Sequence, residues 1–166
     1  MLTVCVALLL FVALTGAAHS GAPGPGADAA MDRRLDQLFG EHAAYHEFLT
    51  RLRTAVASNA RERVAAMVSY PLTVRIGGRA VRLRNGAAFL RHYRELLPPG
   101  TREVLSSQTY AGLFANSQGV MIGSGQIWFA GVCADATCTK QSVRITAINP
   151  DAAGPSVPVA DAGAAE

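Results

Sequence analysis

The sequence lacks an apolar run long enough to cross a membrane. The run from Val4 to Leu14 covers 11 residues, whereas a membrane-spanning helix needs about 20. Small residues follow this run, a pattern that predicts a signal peptide over residues 1–20 and a periplasmic or secreted protein with no membrane contact after cleavage. The candidate cleavage sites follow Ala17, Ala18 and Ser20. No lysine or arginine precedes the run, so an uncleaved anchor is the alternative.

Cysteine is scarce as well, with only Cys133 and Cys138 left once Cys5 departs with the signal peptide. No second cysteine pair and no nearby histidine accompanies them, which argues against a four-ligand zinc site. Two cysteines five residues apart in an exported protein most often form a local disulfide. A loop this short gains roughly 2 kcal/mol from loop entropy. We therefore predict a Cys133–Cys138 disulfide, with a redox pair as the alternative.

Lysine is almost absent, because Lys140 is the only one among 15 basic residues. Between Gly40 and Asn149 the chain carries 13 basic and 6 acidic residues, a net charge of +7. Arg75, Arg82 and Arg84 recur on one face of a predicted hairpin. No aromatic residues interleave with these arginines, so we expect a solvated polar face and no nucleic-acid partner. A basic patch for an anionic polymer or lipid is the alternative.

Composition divides the chain into a core and two flanks. Residues 21–31 and 150–166 are rich in proline, alanine and glycine and offer little to bury, so they are expected to form a flexible linker and a disordered tail. Residues 32–149 have enough apolar residues for one globular domain.

Hydrophobic periodicity predicts helices in the first part of the domain. Apolar steps of three and four residues over 32–57 indicate an amphipathic helix that Gly40 interrupts, and a second short helix follows Ser58-Asn59. Alternation over 72–84 around Gly77-Gly78 indicates a β-hairpin. A third helix begins at Asn85 and is expected to end at Pro98-Pro99-Gly100.

Three strand-like runs complete the domain: Glu103–Leu113, Gly119–Ala130 and Gln141–Asn149. The expected fold class is therefore α+β, with the order α-α-β-β-α-β-β-β. The segments VAAMVSYPLTV, GVMIGSGQIWF and VRITAIN resemble exported members of the nuclear-transport-factor-2-like superfamily (SnoaL-like, cystatin-like cone), over about residues 40–149. This resemblance implies a cone, in which a curved antiparallel sheet wraps around amphipathic helices.

The same resemblance allows the catalytic residues of the superfamily to be sought here. Isomerases of this type carry an aspartate base directly before a proline, and the matching position in this chain is Tyr70, which precedes Pro71. Tyrosine has an ordinary pKa near 10 and is a poor base at neutral pH. Their second acid lies on a late strand, yet no aspartate or glutamate occurs between Glu103 and Asp135. We therefore expect no catalytic residues and no cofactor.

A non-catalytic exported binding or interaction module is the leading hypothesis, with a small-molecule ligand as one candidate partner. A pocket inside the cone would be lined by Tyr45, Tyr70, Gln126, Trp128 and Arg144. The alternative is a small-molecule lyase or hydrolase that uses Tyr70, Gln126 and Arg144 as hydrogen-bond donors. His42 and His46 have the i, i+4 spacing of metal ligands, but His42 lies in an apolar stripe, so a packed or boundary histidine and no metal are expected.

The predicted strand Gly119–Ala130 is apolar on both faces. Helices cover one face of a sheet, so the second face needs another cover. A homodimer joined through the sheet would supply it, with Ile122 or Ile127 facing outward in the contact. A large core or a pocket inside the cone would also account for the two apolar faces.

Overall fold

The computed structural model describes residues 25–152. The predicted signal peptide, residues 21–24 and residues 153–166 lie outside the described residues. The helices are α1 (Pro25–Phe39), α2 (Ala43–Ala57), α3 (Arg61–Ala66), α4 (Gly86–Arg91), α5 (Tyr93–Leu96) and α6 (Pro99–Ser107). The strands are β1 (Leu72–Ile76), β2 (Arg79–Leu83), β3 (Phe114–Asn116), β4 (Gly119–Ile122), β5 (Ile127–Cys133) and β6 (Gln141–Ile148).

The strands form two antiparallel sheets. One is the β1–β2 hairpin, and the other contains four strands in the order β3-β4-β5-β6. The α+β class is therefore confirmed. None of the helices between residues 25 and 152 combines the length and the apolarity that a membrane crossing requires.

The first two helices meet at Gly40, as predicted. Gly40 has a φ of +81°, a left-handed conformation that glycine adopts without steric cost. The linker prediction for residues 21–31 is corrected from Pro25 onward, because α1 already begins there. Proline is favoured in the first turn of a helix, and the helix is held down by Met31 and Leu35, which are buried in the core.

The hairpin and the third helix are confirmed. Leu72 pairs with Leu83 and Val74 with Val81 across the hairpin, with the three arginines of the polar face exposed, as expected. The Asn85 side chain accepts a hydrogen bond of 3.0 Å from Ala88 N and so caps α4. His92 then separates α4 from α5.

The predicted strand Glu103–Leu113 is wrong, because its first part, up to Ser107, belongs to α6. Pro98-Pro99-Gly100 does not only end a helix; Pro99 also begins the next one, at a position where its missing N–H is not needed. Thr101 and Leu105, one turn apart, are the buried residues of this helix, whereas period-two burial would be expected of a strand.

The predicted single strand Gly119–Ala130 is also wrong. Gly123 and Gly125 have φ values of +63° and +108°, and they turn the chain back so that β4 and β5 form a hairpin. Ile122 pairs with Ile127 in its register, and both side chains are fully buried. Neither isoleucine therefore faces outward as the homodimer hypothesis required, and the apolar residues of this hairpin on the other face are Met121 and Trp128.

Helix α2 packs on the buried face of the four-stranded sheet. The rings of Phe48 and Phe129 stack with centroids 4.9 Å apart. Each fully buried side chain of this size contributes about 1.5–3 kcal/mol. Strand β6 confirms the last predicted strand, and the predicted disulfide joins Cys133 to Cys138 at the β5–β6 loop.

Candidate functional site

A groove of about 670 Å³ lies between α2, α3 and the first half of β6. This volume is within the range of small-molecule and cofactor sites. Apolar side chains and three arginines share the lining. Its residues are Glu41, Ala44, Tyr45, Glu47, Phe48, Thr50, Arg51, Thr54, Ala55, Arg63, Ala66, Met67, Gln141, Ser142, Val143 and Arg144.

Tyr45, one of the five predicted pocket residues, lines this groove. Its ring stacks on Phe39 with centroids 4.7 Å apart, and its Oη accepts a hydrogen bond of 3.2 Å from Gly131 N. Burial raises the pKa of the Tyr45 hydroxyl. The side chain is therefore a neutral phenol at physiological pH, able to donate a hydrogen bond but not to act as a base.

Arg144 is the second predicted residue that lines the groove. Its Nη1 donates a hydrogen bond of 2.5 Å to Ala66 O, and its Nε donates one of 3.2 Å to Ser142 Oγ. These bonds hold the guanidinium across the gap between β6 and the end of α3. The positive charge is thus fixed at one end of the groove.

Two further arginines carry charge along the groove. Arg51 lies 3.6 Å from Glu47 in an exposed i, i+4 pair on α2, a type of pair that contributes little to stability. Arg63, in α3, makes no ion pair or side-chain hydrogen bond with the residues that the structure describes. With Glu41 and Glu47 as the acidic members, the lining has an excess of one positive charge.

Tyr70 and Gln126 do not line the groove. The Tyr70 hydroxyl donates a hydrogen bond of 2.9 Å to Ala65 O, and burial raises its pKa to about 12. Gln126 Oε1 accepts from Ser124 N at 2.7 Å, and Nε2 donates to Ala152 O at 3.2 Å. Both side chains therefore hold local backbone in place.

Trp128 lies on the opposite side of the sheet from the buried face. It pairs with Met121 across β4 and β5, and its ring meets Phe114 edge to face with centroids 6.3 Å apart. Phe114 is 46% exposed. Of the five predicted pocket residues, the structure thus brings only Tyr45 and Arg144 together.

The two histidines of the predicted i, i+4 pair have separate contacts. His42 Nδ1 lies 2.8 Å from Asp36 Oδ1, and the His46 ring lies 4.2 Å from that of Tyr110. Within residues 25–152, no group of three or more histidine, cysteine, aspartate or glutamate residues is arranged to hold a metal ion.

The sequence reasoning missed Arg51, Thr54, Arg63 and Met67. A signal for the α2 members was present: Ala44, Glu47, Arg51 and Thr54 recur at steps of three and four and so form a stripe beside the apolar face. Nothing in the sequence, however, shows that β6 lies opposite this stripe.

Comparisons of the chain with protein-family models, with curated proteins and with solved structures find no match.

Proposed function

We propose that this protein is an exported, non-catalytic binding module whose ligand occupies the groove between α2, α3 and β6. The observation that carries the proposal is the lining itself: an apolar floor of Tyr45, Phe48 and Met67 with three arginines around it. Such a surface favours a ligand with an apolar body and a negative charge.

The acid–base groups of the groove support binding rather than catalysis. Glu41 and Glu47 are both exposed at its rim, and Glu47 faces Arg51. Tyr45 is held in its neutral form by burial. A catalytic acid or base usually needs a desolvated site that brings its pKa close to the working pH, whereas the two glutamates are exposed and burial moves the pKa of Tyr45 further above that pH.

Membership of the nuclear-transport-factor-2-like superfamily is part of the proposal. Its support is the three sequence segments of the resemblance and the packing of α2 on an antiparallel sheet. In a cone of that type, the groove would lie at the mouth, where helices and the last strand meet. Export to the periplasm or the medium completes the proposal and is supported by the apolar run at the start of the chain.

The test uses 1-anilinonaphthalene-8-sulfonate (ANS), an apolar anion that fluoresces when it is bound. We expect saturable binding that Arg63→Glu weakens by about three- to tenfold, because one favourable charge becomes unfavourable. Arg91→Glu is the matched control, since Arg91 is also exposed but lies outside the groove.

A second pair of variants tests the shape of the site. Ala66 is exposed in the groove, so Ala66→Trp should fill it and abolish ANS binding without disturbing the core. Ala80→Trp, at an exposed position of β2, should leave the titration unchanged. Equal ANS affinity in the Ala66 and Ala80 variants would refute the proposed site.

A further inference from the structure

The edge of β6 that faces the groove has unpaired backbone groups. At Ile145, this edge is covered by the chain itself: Ile145 N donates to Met67 O at 2.8 Å and Ser69 N donates to Ile145 O at 2.9 Å. Residues two apart in a strand point their backbone groups to the same side. The N–H and C=O of Val143 and Gln141 therefore point away from β5 and into the groove.

The position of Gly131 supports this register. Gly131 is the partner of Val143 in β5, yet its N–H donates to Tyr45 Oη rather than to the Val143 carbonyl. The two residues thus form a non-hydrogen-bonded pair, which leaves Val143 free on its other side. Among the backbone hydrogen bonds of residues 25–152 outside the regular elements, none reaches Val143 or Gln141.

The chain itself shows how this edge accepts a partner. Val68 forms a parallel bridge with Ile145. The residues before Val68 do not continue as a strand, because the chain up to Ala66 belongs to α3. The place beside Val143 and Gln141, where a longer strand would run, is the groove. Unpaired edges of this kind are the usual sites at which extended peptides add a strand.

We propose that the groove binds an extended peptide that adds a strand along Gln141–Val143 and directs an acidic side chain to Arg63. This inference rests on the proposed function, for which it names the ligand class. Alternate side chains of such a peptide would point to the floor of Tyr45, Phe48 and Met67.

Charge favours an acidic peptide over a second copy of this chain. Two β6 edges related by a two-fold axis would bring both sets of Arg51, Arg63 and Arg144 together, and like charges across paired strands are destabilising. The free stretch is also short, about 10 Å for three residues, and α2 forms a wall beside it.

The probe is the capped peptide acetyl-Val-Asp-Val-Asp-Val-amide with a fluorescent label, followed by fluorescence polarisation. N-methylation removes single peptide N–H groups without changing the side chains. Only every second N–H group of the bound peptide points to β6, so methylation of the groups in that alternate set should weaken binding about tenfold or more. Methylation of the other alternate set should change the affinity by less than about twofold.

A protein variant tests the same bond from the other side. Val143→Pro removes the N–H that faces the groove and no bond of the β5–β6 ladder, and proline is tolerated on an edge strand in this orientation. Peptide binding should weaken about tenfold relative to Val143→Ala, while circular dichroism should show that both variants are folded.

The outcomes separate this inference from the proposed function. If ANS binds the groove and the peptide does not, or if methylation of either alternate set of peptide N–H groups has the same effect, the strand-addition proposal is wrong and the binding site stands. If neither probe responds to Ala66→Trp, both proposals are wrong. Concentration-dependent dimers that Val143→Pro dissociates would assign the edge to a second copy and overturn the peptide proposal.

Discussion

His42 joins the last turn of α1 to the first turn of α2 through a side-chain hydrogen bond to Asp36. This bond raises the pKa of His42 above its ordinary value of 6.5. Desolvation opposes the bond in part, and the charges of Asp32, Asp36 and Glu41 raise the pKa further. The contribution of the pair to folding is therefore complete below pH 6.5. It is lost as the pH rises through the raised folded-state pKa.

An NMR titration of the histidine ring protons tests this pair. In Asp36→Asn the pKa of His42 should fall toward 6.5, because its strongest partner no longer carries a charge. Glu95→Gln is the control, since Glu95 contacts His92 and not His42. An unchanged His42 titration in Asp36→Asn would show that the contact is absent in solution.

Single residues also decide how far the site was predictable. Tyr45 lines the groove, and its regular position in an apolar helical stripe was visible in the sequence. Gln126 and Trp128 lie outside the groove, because the Gly123–Gly125 turn reverses the chain between the two halves of an apolar run. Periodicity alone treats such a run as one strand, and only the positive φ values of the two glycines reveal the turn.

The β4–β5 hairpin depends on Gly123. A Cβ at this position would lie 2.3 Å from Gln126 Oε1 and 2.4 Å from Val104 Cγ1, and Gln126 is buried and fixed by its own hydrogen bonds. We expect Gly123→Ala to reduce the free energy of unfolding by about 2–4 kcal/mol.

Gly77→Ala is the matched control for the backbone effect. Gly77 also has a positive φ, of +55°, but a Cβ there would meet nothing within 4 Å. This variant should lose only about 1 kcal/mol. Urea unfolding measures the loss of unfolding free energy in both variants, provided that the m-value is unchanged. Equal losses in the two variants would mean that the turn does not need the close approach to Gln126.

Elements with local signals were predictable, and elements without them were not. The β1–β2 hairpin has a Gly-Gly turn between alternating residues, and α4 has its Asn85 cap, so both were identified. Helix α6 was predicted to be part of a strand, although Val104 and Leu105 are adjacent and do not alternate. Only the tertiary burial of Thr101 and Leu105 decides in favour of a helix.

At the scale of the whole molecule, the groove depends on packing that no local pattern encodes. The stripe on α2 becomes a wall only because β6 is the edge strand of the sheet and α3 ends beside it. The predicted homodimer stays a prediction. The apolar residues that remain on the outer face are Phe114, Met121 and Trp128, since Ile122 and Ile127 are in the core.

The central claim is that the groove, and not the outer face of the sheet, is the binding site. The most direct measurement is a ¹⁵N–¹H NMR titration of the protein with ANS. The account predicts that the largest amide shifts occur at Thr54, Met67 and Val143, and that they saturate together. Largest shifts at Phe114 and Trp128, with the groove amides unchanged, would contradict it.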